Sequence, residues 1–156
     1  MQTVTIPMQE LAKILRLQLE SGKADLTVTG SSMVPMLHHR LDAVTLEKPT
    51  RPLQTGDLIL YQRASGQYVL HRIVGLRENG FWCCGDNQWE KEKVEPSQAI
   101  ALVCKFRRLG KEYSSDDPKY QRYVRFWIAM MPVRRPLIAV RRVLGKIRRM
   151  LKRSKR

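Results

Sequence analysis

The feature that most constrains the fold is a series of short β-type segments between residues 25 and 109. Six runs of strand-forming residues follow one another: LTVT, AVTLE, DLILYQ, YVLHRIVGL, GFWCCG and IALVCKFRRL. Turns that contain glycine or proline separate them at spacings of roughly ten residues, as in a small barrel or rolled sheet. The segment ASGQ at 64–67 is a plausible hairpin turn between two of them. The pattern therefore predicts a mainly β domain over residues 23–110.

Helical patterns flank this domain. An N-terminal helix is predicted within residues 1–22, because Pro7 suits a first helical turn and Gly22 suits a stop. Its apolar face consists of Met8, Leu11, Ile14, Leu15 and Leu19. Residues 111–118 are predicted to be a polar linker. A helical tail is expected over residues 119–156, interrupted at Pro132 and Pro136.

The charge of the chain is concentrated in that tail. Residues 133–156 contain eleven Lys or Arg and no acid, so this segment carries +11 of the formal net charge of +15. The rest of the chain is only mildly basic. The basic residues lie beside apolar residues that recur at three- and four-residue steps, which predicts a basic amphipathic helix. These apolar residues are Leu137, Val140, Leu144, Ile147 and Leu151.

Three partners compete for this helix. An anionic membrane surface is the first, because apolar side chains enter the interface while arginines meet headgroups. Phe126 and Trp127, just upstream, are residue types favoured at that boundary. Nucleic acid or an acidic protein is the second, although the body shows no recognition motif. Packing of the helix on its own domain is the third.

The cysteines and the N-terminus indicate a reducing compartment. Cys83, Cys84 and Cys104 are odd in number and lack the spacing of a disulfide framework or a metal site, so we expect reduced thiols and neither metal nor cofactor. Glu10 and Lys13 interrupt any signal-peptide core, and no stretch approaches the ~20 apolar residues of a membrane span. We expect a cytoplasmic protein.

Three segments supply the residue types of nucleophilic catalysis. GSSMVPML at 30–37 places Ser32 behind a glycine turn, and a serine needs a positioned base to attack. His71, within YVLHRIVG at 68–75, is the better base candidate, because His38 and His39 follow the serine too closely. An acid that orients the imidazole is expected at Asp86 of GDNQ, or at Glu90 or Glu92. Each segment taken alone is also typical of an ordinary turn or strand.

Together these segments resemble the type I signal peptidases and their relatives among self-cleaving repressor peptidases. GSSMVPML resembles the nucleophile box with Ser32 in the serine position, and Gly56 and Asp57 match a recurrent Gly-Asp. HRIVG matches the base box and GDNQ the turn that follows it, in the same order over residues 26–103. The resemblance implies a mostly β signal-peptidase-like fold and an extended-peptide groove beside the serine.

The chain departs from most bacterial members in its base. His71 stands where they have lysine, as in the archaeal and endoplasmic reticulum branch. In that branch an acid six residues beyond the GDN aspartate is a catalytic candidate, and this position is Glu92, so Asp86 and Glu92 remain alternatives. Gly30 stands where the family often has a serine that binds the oxyanion. The Ser32 N–H, aided by Ser31, is then expected to do more of that work.

The resemblance implies a serine endopeptidase, a hydrolase of the signal-peptidase type. Because no N-terminal membrane anchor is apparent, we expect cleavage of a leader or propeptide inside the cell, with the protein peripheral to the inner face of the membrane. A ribosomally made peptide undergoing maturation is one such substrate. The alternative is a catalytically inactive peptide-binding module with the same fold, tethered by its basic tail. The presence of both reactive residues favours the enzyme.

Overall fold

A computed structural model describes residues 8–154, and its main feature is one antiparallel sheet of eight strands. The strands are β1 Lys23–Thr27, β2 Ala43–Glu47, β3 Leu58–Gln62, β4 Tyr68–Arg77, β5 Gly80–Cys84, β6 Glu92–Val94, β7 Ala99–Arg108 and β8 Lys111–Ser114. Their order in the sheet is β1-β2-β7-β3-β4-β5-β6, with β8 paired to β7. The prediction of a mainly β protein is confirmed.

The sheet is buried on both faces in its centre. Along β3, Leu58 and Leu60 pack into one hydrophobic cluster, whereas Ile59 and Tyr61 pack into a second one. Because successive side chains of a strand point to opposite faces, a strand with both faces covered reads as a continuous apolar run. This explains the uninterrupted LILY segment. Strand β3 also contributes Leu60 and Tyr61 to the candidate site described below.

The N-terminal helix α1, Met8–Ser21, ends one residue before Gly22, and the prediction of this helix is confirmed. Leu15 and Leu19 are buried against the first cluster, whereas Ile14 is exposed although it belongs to the predicted apolar face. Pro7 and the rest of residues 1–7 lie outside the described part of the chain. Among the described side chains, the buried face of α1 is thus narrower than the periodicity predicts.

The predicted linker at 111–118 is wrong in its first half. Residues 111–114 form strand β8, which pairs with β7 through Phe106↔Tyr113 and its neighbours. All four β8 side chains are exposed, so the strand shows no apolar alternation. Backbone pairing holds it, together with the stacking of Tyr113 on Phe106 and the Lys105–Glu112 ion pair. Hydrophobic periodicity is the main sequence signal of a strand, and because this segment lacks it, the sequence alone resembles that of a linker.

Two helices follow the sheet: α2, Pro118–Ala129, and α3, Met131–Ser154. Asp117 caps α2, since its carboxylate accepts hydrogen bonds from two N–H groups of the first turn. The sequence predicts that the helical region kinks or breaks at Pro132 and Pro136; Pro132 lies in the first turn of α3, next to the boundary with α2, whereas α3 continues through Pro136, so the helix does not break there. No helix among residues 8–154 is long and apolar enough to cross a membrane.

Candidate active site

Ser32 lies on the loop between β1 and β2, and apolar neighbours anchor this loop in the core. Met33 and Met36 are each 2% exposed, and Leu37 is fully buried. Gly30 has a φ of 86°, which only glycine adopts without strain, and its N–H donates to Nδ1 of His39 at 2.9 Å. These contacts hold the loop, and Ser32 with it, in a defined position.

His71 lies on β4, opposite Ile59 of β3, and its side chain is almost wholly buried. Its Nδ1 is 3.1 Å from Oε1 of Glu92 and 3.1 Å from the hydroxyl oxygen of Tyr61. A carboxylate at this position accepts from Nδ1–H and so leaves the lone pair on Nε2. That tautomer is the one that a general base requires.

Glu92, the first residue of β6, is held as a carboxylate by several donors. Arg63 donates to it through Nε and Nη2, each at 2.8 Å, and the Tyr61 hydroxyl donates to Oε1. Partial burial alone would raise the pKa of Glu92, but the hydrogen bonds from His71, Arg63 and Tyr61 hold this pKa well below its ordinary value. Burial and the Glu92 contact raise the pKa of Tyr61, which therefore remains a neutral donor.

Asp86 serves a different group. Its two oxygens accept from Nε and Nη2 of Arg72, at 2.9 and 2.7 Å, and both side chains are buried. Burial would lower the pKa of the Arg72 guanidinium, but the charge of Asp86 keeps this pKa raised. Of the three acids left open by the sequence, the structure brings Glu92 to His71, keeps Asp86 on Arg72 and leaves Glu90 exposed.

The Gly85–Gln88 turn lies between the loop that carries Ser32 and the imidazole of His71. The Asn87 N–H donates to the Ser32 carbonyl at 2.7 Å, and the Asn87 side-chain amide donates to the Ser31 carbonyl at 3.2 Å. A Cβ added at Gly85 would lie 2.6 Å from the Ser32 carbonyl oxygen and 3.1 Å from Nε2 of His71. Gly85 therefore lies between the Ser32 carbonyl and Nε2 of His71, and the absence of a side chain lets these groups approach each other.

A groove of about 690 Å³ opens beside these residues and is lined by Ser31, Ser32 and His71. One wall continues from β1, which is an edge strand of the sheet. The other wall is the first half of β4, where β5 does not pair until Arg72. The described lining residues include no Asp or Glu, and many of them are apolar: Leu15, Leu26, Val28, Met33, Leu60, Val69 and Leu70.

Sequence reasoning missed three polar residues around the site: Tyr61, Arg63 and Arg72. Tyr61 and Arg63 lie two positions apart, and this spacing places both on one face of an extended chain, where they reach Glu92. Arg72 is a charged residue inside the apolar run of β4. A charge in a buried strand was the available signal, because such a group must find a partner.

No protein-family model matches this chain, and a comparison with curated proteins gives no match. The resemblance to signal peptidases therefore stays a prediction, and the geometry around Ser32 and His71 carries the functional argument.

Proposed function

We propose that this protein is a serine endopeptidase of the signal-peptidase type, which cleaves a leader or propeptide from a peptide precursor. One observation carries the proposal. Nδ1 of His71 contacts the Glu92 carboxylate, while Nε2 faces Gly85, which also abuts the Ser32 carbonyl. Ser32 and His71 line the same groove, so the site offers a nucleophile, a base and an orienting acid, which are the residue types of the working unit in many unrelated hydrolases.

The chemistry follows from this arrangement. The Ser32 hydroxyl oxygen attacks the scissile carbonyl carbon, and its proton passes to Nε2 of His71. The imidazolium is stabilised by Glu92, whose lowered pKa keeps it negative. The tetrahedral intermediate collapses as the same proton moves to the leaving amine, which leaves an acyl ester on Ser32. Water then attacks the ester with His71 again as base and releases the second product.

The oxyanion of this intermediate is assigned to the Ser32 N–H, with Ser31 beside it on the groove. The Gly30 N–H is committed to His39 and contributes nothing to this task. Removing one oxyanion donor typically costs about 10²–10³-fold in rate, so a site with few donors depends strongly on the position of the serine loop.

The groove supports a peptide substrate in an extended conformation. Its walls are an edge strand and the unpaired half of a second strand, and backbone pairing along such edges binds a peptide regardless of its side chains. The apolar lining then favours substrates with apolar side chains near the scissile bond. The absence of Asp and Glu from the described lining residues disfavours basic side chains there.

We propose further that α3 holds the enzyme at an anionic membrane surface, on the inner face. Arg134 and Ile138 are buried at its start, whereas Leu137, Val140 and Leu144 are more than half exposed. Among the α3 side chains that the structure describes, burial is thus confined to the first turns. Phe126 is also exposed, but Trp127 packs between Tyr123 and Arg134. Each basic residue near an anionic surface contributes about 1 kcal/mol.

Vesicle sedimentation tests this surface. The wild type should bind vesicles that contain phosphatidylglycerol, and Leu144→Glu should abolish the salt-resistant part of this binding. Leu76→Glu is the matched control, because Leu76 is similarly exposed but lies on β4. If the wild type does not bind the vesicles and instead binds duplex DNA in a salt-sensitive manner, nucleic acid replaces the membrane as the proposed partner of α3.

A peptide library tests the peptidase. A proteome-derived library incubated with the wild type and anionic vesicles should yield cleaved peptides that share a sequence pattern, as detected by mass spectrometry. Ser32→Ala should yield none, and Ser65→Ala, in the exposed β3–β4 hairpin, should behave like the wild type. Identical products from wild type and Ser32→Ala would contradict the proposal and favour the inactive peptide-binding module.

A further inference from the structure

The position of Ser32 depends on the Gly85–Gln88 turn. Asn87 in this turn binds the carbonyls of both Ser31 and Ser32, through its side chain and its backbone respectively. Gly85 closes the space between Ser32 and His71. Any displacement of the turn would therefore move the nucleophile relative to its base.

The C-terminal helices hold this turn at both ends. At one end, Arg72, which pairs with Asp86, also donates through Nη1 to the Tyr120 hydroxyl of α2 at 3.0 Å. At the other end, Arg134 in the first turn of α3 lies with Nη1 3.5 Å from the Gln88 carbonyl oxygen. The serine loop, the turn and the two helices form one continuous set of hydrogen bonds.

Arg134 is an unusual residue in this set. It is 2% exposed, yet within the described part of the chain no carboxylate forms an ion pair with it, and its Nε has no hydrogen-bond partner there. Burial lowers the pKa of its guanidinium. It also contacts the Trp127 carbonyl, 2.5 Å from Nη2, the Trp127 ring, whose centroid is 4.8 Å from Cζ, and the Cys84 thiol. The contacts of Nη1 and Nη2 with two carbonyls and the Trp127 ring hold the guanidinium in this position.

We infer that Arg134 is a positioning residue for the Ser32–His71 site, and that the C-terminal helices are part of the scaffold of that site. The inference rests on the proposed peptidase function. Arg134 acts on the Gln88 carbonyl, the turn transmits this restraint to Asn87, and Asn87 fixes Ser32. The tail is therefore more than an anchor, since its first turn sets the geometry of the nucleophile.

Substitution of Arg134 by methionine tests the inference, because methionine keeps an apolar stem and removes all donors. On a peptide that the wild type cleaves, Arg134→Met should lower kcat about 10-fold or more and leave KM within about twofold, since small misplacement of reacting groups acts mainly on the chemical step. Arg134→Lys, which retains a charged donor, should restore much of kcat. Arg122→Met, on the exposed side of α2, is the matched control and should match the wild type.

Hydrogen exchange gives a second readout that needs no activity. The Asn87 amide, which donates to Ser32, should exchange faster in Arg134→Met than in the wild type and the control, at a temperature where all three remain folded. An unchanged Asn87 amide, or an unchanged kcat in a variant that has only lost stability, would overturn the inference. If the wild type cleaves nothing, the peptidase proposal fails, and the exchange experiment still decides whether Arg134 positions the serine loop.

Discussion

The most informative single substitution is Gly85→Ala, which adds one methyl group between the loop that carries Ser32 and the imidazole of His71. The new Cβ would lie 2.6 Å from the Ser32 carbonyl oxygen, whereas ordinary contacts begin near 3.4 Å. The two groups must therefore separate by about 0.8 Å, and misplacement of about 1 Å can cost 10²-fold in rate. The obstacle is backbone, so no rotamer change relieves it. We expect kcat to fall by about 10²-fold.

The assay compares steady-state cleavage of one peptide by the wild type, Gly85→Ala and Gly75→Ala, with the melting temperature of each. Gly75 is the matched control, because a Cβ there meets Trp82 only at an ordinary 3.8 Å. The control should retain nearly all of its activity. If Gly85→Ala folds and cleaves as fast as the wild type, Ser32 and His71 do not need the close approach that the glycine permits.

Three further predictions follow from the ionisable groups. Asp86→Asn should destabilise the fold by about 3–5 kcal/mol in urea denaturation, because it leaves the buried charge of Arg72 unpaired; a loss of activity with unchanged stability would contradict this role. The folded-state pKa of Glu92 lies below its ordinary value of 4.5, so the unfolded chain binds the proton more readily and stability is lost as the pH falls below about 4.5. The melting temperature of Glu92→Gln should consequently fall less steeply than that of the wild type in this range, and parallel curves would refute the assignment. Burial raises the pKa of the Cys84 thiol to about 11, so a thiol reagent should modify half-buried Cys104 first in the native protein, and the reverse order would be inconsistent with this burial.

Hydrophobic pattern accounts for most of the sheet. The runs AVTLE and YVLHRIVGL become β2 and β4 within one residue at either end, because their burial depends on apolar side chains that the pattern records. Strands β6 and β8 were not predicted, because they lack such a pattern of apolar side chains. The first has three residues and the second has only exposed side chains, so both depend on pairing and contacts with a neighbouring strand, which a single sequence does not display.

The candidate site was predictable in its residue types but not in its pairings. Ser32 and His71 line the same groove, yet nothing in the local sequence separates Asp86 from Glu92 as the acid beside the imidazole. The choice depends on the strand register, which places Glu92 opposite Cys83 on β5, and on the two donors Tyr61 and Arg63. Such contacts between strands are set by the tertiary fold.

In the C-terminal helix, too, one property follows from the sequence and another depends on the tertiary fold. Its basic amphipathic character follows from the spacing of residues such as Leu137 and Leu144, and the structure leaves these side chains exposed. The burial of Arg134 does not follow from that spacing, because it depends on contacts with Trp127 and with the Gln88 carbonyl on separate elements. An arginine in a run of arginines carries no signal that distinguishes it from its neighbours.

We propose that Ser32 and His71 act as one catalytic unit, and a double-mutant cycle distinguishes a unit from two independent side chains. The measurement is kcat for one cleaved peptide with the wild type, Ser32→Ala, His71→Ala and the double variant. Residues that act as a unit are grossly non-additive, so each single variant should lose about 10³-fold or more and the double variant should lose no more than either. Substantial activity in His71→Ala, or losses that multiply in the double variant, would contradict the account.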